Sequence, residues 1–272
     1  MLDYSDSGGD GPVVVLLHGL LMDESLWDAV ALPGCRRIVP TLPLGAHRRP
    51  VPAGTDLSLS GVAALVADLL QRLDLHDVTL VGNDTGGAIA QLVVTRTPAA
   101  PRVARLVLVS CEAFDNLPPG LTGRAIALAG KLPPALFRLF MQQMRLRPAR
   151  RLPIAFGRLT KRGDAATARW VRPVLTVPGI AADTVRMLRA VFADRRLLVG
   201  VGADLAGFDR PALVVWAAGD RVMPPAHGRR LAGILPRARL VEVPDSSTLV
   251  PLDQPARLAA LLGGFVRDTN SP

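Results

Sequence analysis

Val78-Thr-Leu-Val-Gly82-Asn83-Asp84-Thr85-Gly86-Gly87-Ala-Ile-Ala90 is an apolar strand that meets a Gly-rich turn and runs straight into a helix. Gly82-Asn83-Asp84-Thr85-Gly86 has the spacing of a strained elbow that pushes one side chain into a cleft above a sheet. That side chain is Asp84. Glycines at 82, 86 and 87 fit a turn that brings strand and helix too close for Cβ atoms, and the central residue needs unusual φ/ψ. The backbone N–H groups of Thr85 and Gly86 open the helix, whose positive end favours negative charge on Asp84 or on a developing oxyanion. A Gly-rich turn can also cradle phosphate, but this spacing fits neither G-x-G-x-x-G nor the P-loop with its trailing Lys.

Outward from the elbow, strands and helices alternate on both sides. An uninterrupted apolar run at 12–18 reads as a central parallel strand covered on both faces and ends in His18-Gly19. Residues 20–27 form a loop into a short helix that ends at Trp27. A short strand at 36–39, a Pro/Gly/His/Arg-rich connection at 42–52 and an amphipathic helix at 57–73 follow. The elbow helix spans 85–96, and the next strand spans 105–110. From 116 to about 205 there is no strand alternation, only helical segments broken by prolines, with a Phe/Leu/Met face near 136–144. Alternation resumes with a strand at 212–216, a helix at 226–235, a strand at 238–243 and a helix at 255–266. The pattern predicts an α/β fold, a doubly wound and mostly parallel sheet with right-handed crossovers, its core made of 1–115 and 205–272 and an inserted helical cap at 116–204.

Composition sets the other limits. The chain has 272 residues, 49% of them hydrophobic and 20% charged, enough for one well-cored domain. A polar, acidic start argues against a cleavable signal, and no apolar run reaches the length of a membrane span. Two cysteines are too few for a disulfide framework, so the expected location is the cytoplasm. The net charge of +9 comes almost wholly from Arg. The arginines read as spread along the chain and there is one Tyr to stack a base, so the expectation is a basic surface and no nucleic-acid or membrane partner. No cofactor and no metal are expected, and the chain reads as a monomer or homodimer that takes a small hydrophobic substrate or ligand.

The elbow, the His18-Gly19 strand ending, the strand-loop-Asp220-Arg-Val-Met-Pro224 unit and the closing Pro244-Asp-Ser-Ser-Thr-Leu-Val-Pro251 together resemble the α/β-hydrolase superfamily. An Asp at the centre of the nucleophile elbow is similar to the haloalkane dehalogenase and epoxide hydrolase branch, in which the carboxylate attacks carbon and His-activated water hydrolyses the ester. The resemblance implies Asp84 as nucleophile and Asp220 as the triad acid. It places Thr248 where the catalytic His belongs, and a Thr hydroxyl does not titrate in range to act as a base. The halide-holding positions of such dehalogenases are Thr85 and Leu20 here. The only Tyr, Tyr4, lies outside the cap where epoxide hydrolases need one.

Four histidines are weighed as substitutes. His18 belongs to the strand end that shapes the oxyanion loop. His76 lies at the far end of the sheet, His227 reads as exposed, and His47 sits in a loop that can approach the cleft or be solvated. Glu112 and Asp115 follow the strand that carries Cys111, and either is a candidate second carboxylate. Asp84, Asp220 and Thr248 are the catalytic candidates, with Leu20, Thr85, His18, Glu112, Trp27 and His47 around the oxyanion loop and pocket. Two functions remain: an enzyme with non-standard acid–base chemistry (lyase, isomerase or cyclase) within a nominal hydrolase fold, or a non-catalytic pocket for a small ligand or partner. The lining discriminates them, because several carboxylates around Asp84 favour catalysis.

Overall fold

Val14 to Leu17, Val78 to Val81 and Leu106 to Val109 are buried, as runs with no polar face require when helices cover both sides of a sheet. A computed structural model describes residues 2–268. The strands are β1 (Asp3–Asp6), β2 (Val13–Leu17), β3 (Arg36–Thr41), β4 (Val78–Asp84), β5 (Val103–Cys111), β6 (Ala212–Ala217) and β7 (Ala238–Val243). They form one seven-stranded sheet in the order β1-β3-β2-β4-β5-β6-β7. All pairings are parallel except that of β1 with β3.

β1 is the strand the sequence pattern does not reveal. All four of its residues are exposed, so it has no apolar alternation to read. Its place depends on the ladder with β3, Asp3 opposite Thr41 and Asp6 opposite Ile38, and on the ion pairs Arg36–Asp6 and Arg49–Asp3. Charge on such an edge also discourages pairing with another chain.

α1 (Leu59–Arg72) and α2 (Thr85–Arg96) follow β3 and β4. Between β5 and β6 the described residues form only helices and turns: α3 (Gly120–Ala129), α4 (Pro134–Gln142), α5 (Arg147–Arg150), α6 (Asp164–Trp170), α7 (Arg172–Thr176), α8 (Ile180–Val191) and α9 (Leu197–Asp204). α10 (Pro225–Ile234) joins β6 to β7, and α11 (Val250–Asp253) and α12 (Pro255–Asp268) close the chain. α9 returns to the flank of the sheet, where Asp204 pairs with Arg96 of α2. The strand order reverses at β2, which lies between β3 and β4. That reversal opens a crevice at the carboxyl ends of β2 and β4, where doubly wound sheets bind ligands. His18-Gly19 and Asp84 both stand there.

Candidate functional site

Asp84 ends β4 with φ 55° and ψ −132°, a conformation L-residues avoid, before α2 starts at Thr85. Such a backbone costs about 1–3 kcal/mol and persists only where the surroundings impose it. Here close packing imposes it: a Cβ on Gly86 would collide with the Leu17 carbonyl, and one on Gly19 would collide with the Asp84 carboxylate. Asp84 is 5% exposed. Its Oδ1 accepts the Leu20 backbone N–H at 3.2 Å and lies 3.2 Å from the Thr85 hydroxyl, and the Thr85 backbone N–H also favours its anion. Burial outweighs these donors and raises the Asp84 pKa above the usual carboxylate value.

Glu112, one residue past β5, is the second carboxyl of the site and is fully buried. The Thr85 hydroxyl is 2.8 Å from its Oε1, so one hydroxyl bridges the two acids. Gln91 of α2 donates to the Glu112 carbonyl at 2.9 Å and fixes its backbone. Oε2 is buried without a partner. Desolvation, and then the Asp84 charge, push the Glu112 carboxyl well above its ordinary value. Asp84 has more donors facing it and Glu112 is pushed further up, so Asp84 is the first of the two to ionise. The Cys111 thiol is raised well above its usual value by burial and by both carboxylates, which leaves it an inert packing group beside Gly87. Asp115 points away, its side chain 81% exposed.

Thr248 is buried and its hydroxyl donates to Asp220 Oδ1 at 2.9 Å. The same oxygen accepts the Val222 and Met223 N–H groups at 2.8 and 2.9 Å, while Oδ2 is buried and unpartnered. Desolvation exceeds these hydrogen bonds and raises the Asp220 pKa to about 6. Asn83, next to Asp84, donates to the Thr248 carbonyl at 2.8 Å. The loop is thus tied to the elbow by backbone, with no titratable group from position 248.

A cavity of about 200 Å³ opens above Asp84. Asp84 and Glu112 are its only acidic or basic lining residues among those described; Leu20, Val222, Met141, Met144, Phe156 and Leu159 are among the apolar ones. Leu20 therefore serves twice, through its amide at Asp84 and its side chain in the wall. The Phe/Leu/Met face of 136–144 also reaches this wall. Asp220, Thr248, Thr85, His18, Trp27 and His47 do not line it, and no histidine does among the described residues.

Each weighed histidine has another place. His18 is buried, its Nδ1 donating to the Gly19 carbonyl at 3.0 Å and its Nε2 accepting the Leu42 N–H at 2.8 Å; this neutral tautomer shapes the turn, and burial lowers its pKa. His47 neither lines the cavity nor is solvated: it is buried 3.4 Å from Asp183 of α8, beside the Gly45 amide. His227 is half-buried against Phe114 rather than exposed, because α10 packs back on the sheet. His76 is exposed beside Asp74. Trp27 packs in the core with no pocket contact.

Local sequence did not reveal what holds the helical segment down, because each tie joins residues far apart in the chain. Trp170 donates to Asp23 at 2.9 Å, and Asp183 takes the Val51 N–H at 2.9 Å besides facing His47. Buried Asp253 accepts Thr160 Oγ1, the Lys161 and Arg162 amides and the Ser247 amide at 2.7 to 3.0 Å. A buried carboxylate with several donors is a stable clamp, and none of the three announces itself by spacing. No group of three or more His, Cys, Asp or Glu is gathered to hold a metal ion among the described residues.

The chain has many relatives in sequence and many counterparts in fold. An uncharacterised protein of Mycobacterium tuberculosis is 28% identical over 274 residues, covering 97% of this chain and 77% of its own length. The pimeloyl-[acyl-carrier protein] methyl ester esterase of Aromatoleum aromaticum is 28% identical over 275 residues, covering 94% of this chain and 98% of its own. A thermophilic esterase structure from Thermogutta terrifontis superposes with a TM-score of 0.71 at 21% identity, over 99% of this chain and 94% of that one. Residues 14–261, from the first core strand through half of α12, match the alpha/beta hydrolase family, and with the elbow at the sheet's switch point the chain belongs to that family.

Proposed function

We propose that the chain is a cofactor-independent enzyme of hydrolase fold that moves a proton on a small hydrophobic substrate, with Asp84 as base and Glu112 as acid. The carrying observation is the Asp84–Thr85–Glu112 unit: two buried carboxyls share one hydroxyl beside a mostly apolar cavity whose other polar lining residues are Thr122 and Gln143. Asp84 takes a proton from a substrate carbon while the protonated Glu112 carboxyl delivers one elsewhere on the same molecule. The exchange leaves atoms and charge balanced, and the Thr85 hydroxyl bridges the acids for the return. The Leu20 and Thr85 amides hold Asp84 in place at the strained elbow. The segment 116–204 acts as the cap that excludes water, and 1–115 with 205–272 as the core.

Hydrolysis through an Asp84 ester is disfavoured by the same geometry. Thr248 cannot activate water, so an alkyl ester on Asp84 would not turn over. A second reading, a non-catalytic binding pocket, draws on the mostly apolar lining outside the two carboxyls.

The test incubates the protein with small apolar ketones and lactones in deuterated water. Deuterium should appear at carbon with the wild type and not with Asp84→Asn, while equilibrium affinity stays within a few-fold. Intact mass should show no adduct. A covalent species accumulating on Asp84 would restore the hydrolytic route, and an Asn variant as active as wild type would favour the binding protein.

A further inference from the structure

The positive charge of this protein is concentrated. Residues 116–163 carry ten Lys and Arg and no Asp or Glu, which leaves 22 cations and 23 acids elsewhere, a net of −1 for the rest of the chain. The arginines are spread, as the sequence suggests, but the acids that neutralise them are missing from this one segment. Of its ten cations, Arg147, Arg150, Lys161 and Arg162 meet a carboxylate of a flanking element. Arg124, Lys131, Arg138, Arg145 and Arg151 are exposed, with no ion pair or side-chain hydrogen bond among the described residues.

The same segment exposes most of the molecule's exposed large apolar side chains: Leu121, Leu128, Leu136, Leu139, Phe140, Leu146, Leu152 and Ile154. Their spacing is helical, Leu121 and Leu128 with Arg124 on α3, and Leu136, Leu139 and Phe140 on α4, so each set shares one flank of its helix. Phe140, Leu152 and Ile154 are exposed and also line the cavity, which sets this face around its mouth. Each of the three buried ties that pin the helical segment down meets it at residue 160 or later.

We infer that α3, α4 and the 146–154 loop dock on an anionic lipid bilayer surface, with the apolar side chains in the headgroup boundary, the arginines on lipid phosphates and the cavity mouth facing the membrane. Apolar and cationic groups on one face are what an interfacial helix needs. A second copy of this chain does not fit, since two such faces repel. Nucleic acid does not fit either, because aliphatic Leu and Ile offer no stacking platform. No described helix is long and apolar enough to cross a membrane, so the contact is peripheral, and it replaces the sequence expectation of no membrane partner. The inference stands apart from the chemistry at Asp84.

The full chain is sedimented with vesicles of phosphatidylglycerol and phosphatidylcholine in equal parts, and with phosphatidylcholine alone, at low and high salt. Binding is expected on the anionic vesicles only, weakening with salt. The triple variant Arg124→Glu, Arg138→Glu, Arg145→Glu should lower partitioning at least about 100-fold. The control triple Arg237→Glu, Arg239→Glu, Arg257→Glu has the same net charge and should lower it only slightly. Leu136→Ser with Leu139→Ser should lower it about tenfold. Unaltered melting of each variant excludes unfolding. Absence of binding to anionic vesicles, equal losses in the two triples, or a serine pair that binds like wild type would each overturn the inference. So would tighter binding to a soluble acidic polypeptide than to the vesicles, which would identify a protein partner instead.

Discussion

At the scale of single residues the site is a competition between burial and donors. Asp84 has three groups that favour its anion, whereas Glu112 has the shared Thr85 hydroxyl and its own backbone amide with a neighbouring charge against it, so two acids in one cavity separate into a base and an acid. That separation predicts a bell-shaped pH–rate profile for proton exchange. The acid limb reports Asp84 and lies above the ordinary Asp value, and the alkaline limb reports Glu112 and lies further above the ordinary Glu value. Glu112→Gln keeps the side chain's size, removes the titrating proton, and should lower the maximum about 10²–10³-fold while abolishing the alkaline limb. An alkaline limb that survives in Glu112→Gln would assign that titration to another group.

At the scale of elements, the elbow works because β2, β4 and α2 approach closely at glycines. Gly86→Ala would force a methyl group against the Leu17 carbonyl, a backbone group that cannot swing away, and should cost about 3 kcal/mol in denaturant unfolding. Fluorescence or circular dichroism melts read this directly. The helical segment depends on a different device, the Asp253 clamp. Asp253→Ala strands the donors of Thr160, Lys161, Arg162 and Ser247, and about 3 kcal/mol of stability should go with them. Hydrogen exchange should quicken first at 159–163 and 246–249, since Leu249 N–H also donates to the Leu159 carbonyl.

For the molecule as a whole, buried acids make stability depend on pH. Asp220 has a folded pKa of about 6 against an ordinary 3.8, so the folded state binds the proton more tightly than the unfolded one. Its contribution is fully present below about pH 4, falls as pH rises towards about 6, and is gone above that, a loss of about 3 kcal/mol. Asp84 and Glu112 add slopes of the same sign. Asp220→Asn should flatten the fall between pH 4 and 6 in urea titrations; a wild-type slope unchanged in that variant would mean the titration belongs elsewhere. The charge distribution acts at this scale too, because a near-neutral body carries one strongly cationic, apolar face.

The sequence by itself determined the sheet and its crevice. Strands buried on both faces must be apolar throughout, and an elbow this tight must be Gly-rich, so β2, β4, β5, β6 and α2 were legible, as were Asp84 and the Asp220–Thr248 pair at matching strand ends. It also showed Glu112 only as one of two candidates, since Glu112 and Asp115 differ by three positions in a loop. The tertiary structure decided between them, turning Glu112 inward under Thr85 and Asp115 to solvent. It likewise made His47 a tie to Asp183 and Asp253 a clamp, and added β1 to the edge. Those outcomes depend on partners far away in sequence, such as Thr85 and Glu112, 27 positions apart. A polar side chain's worth is set by what it faces after packing, which periodicity does not encode, whereas an apolar run carries its need for burial with it.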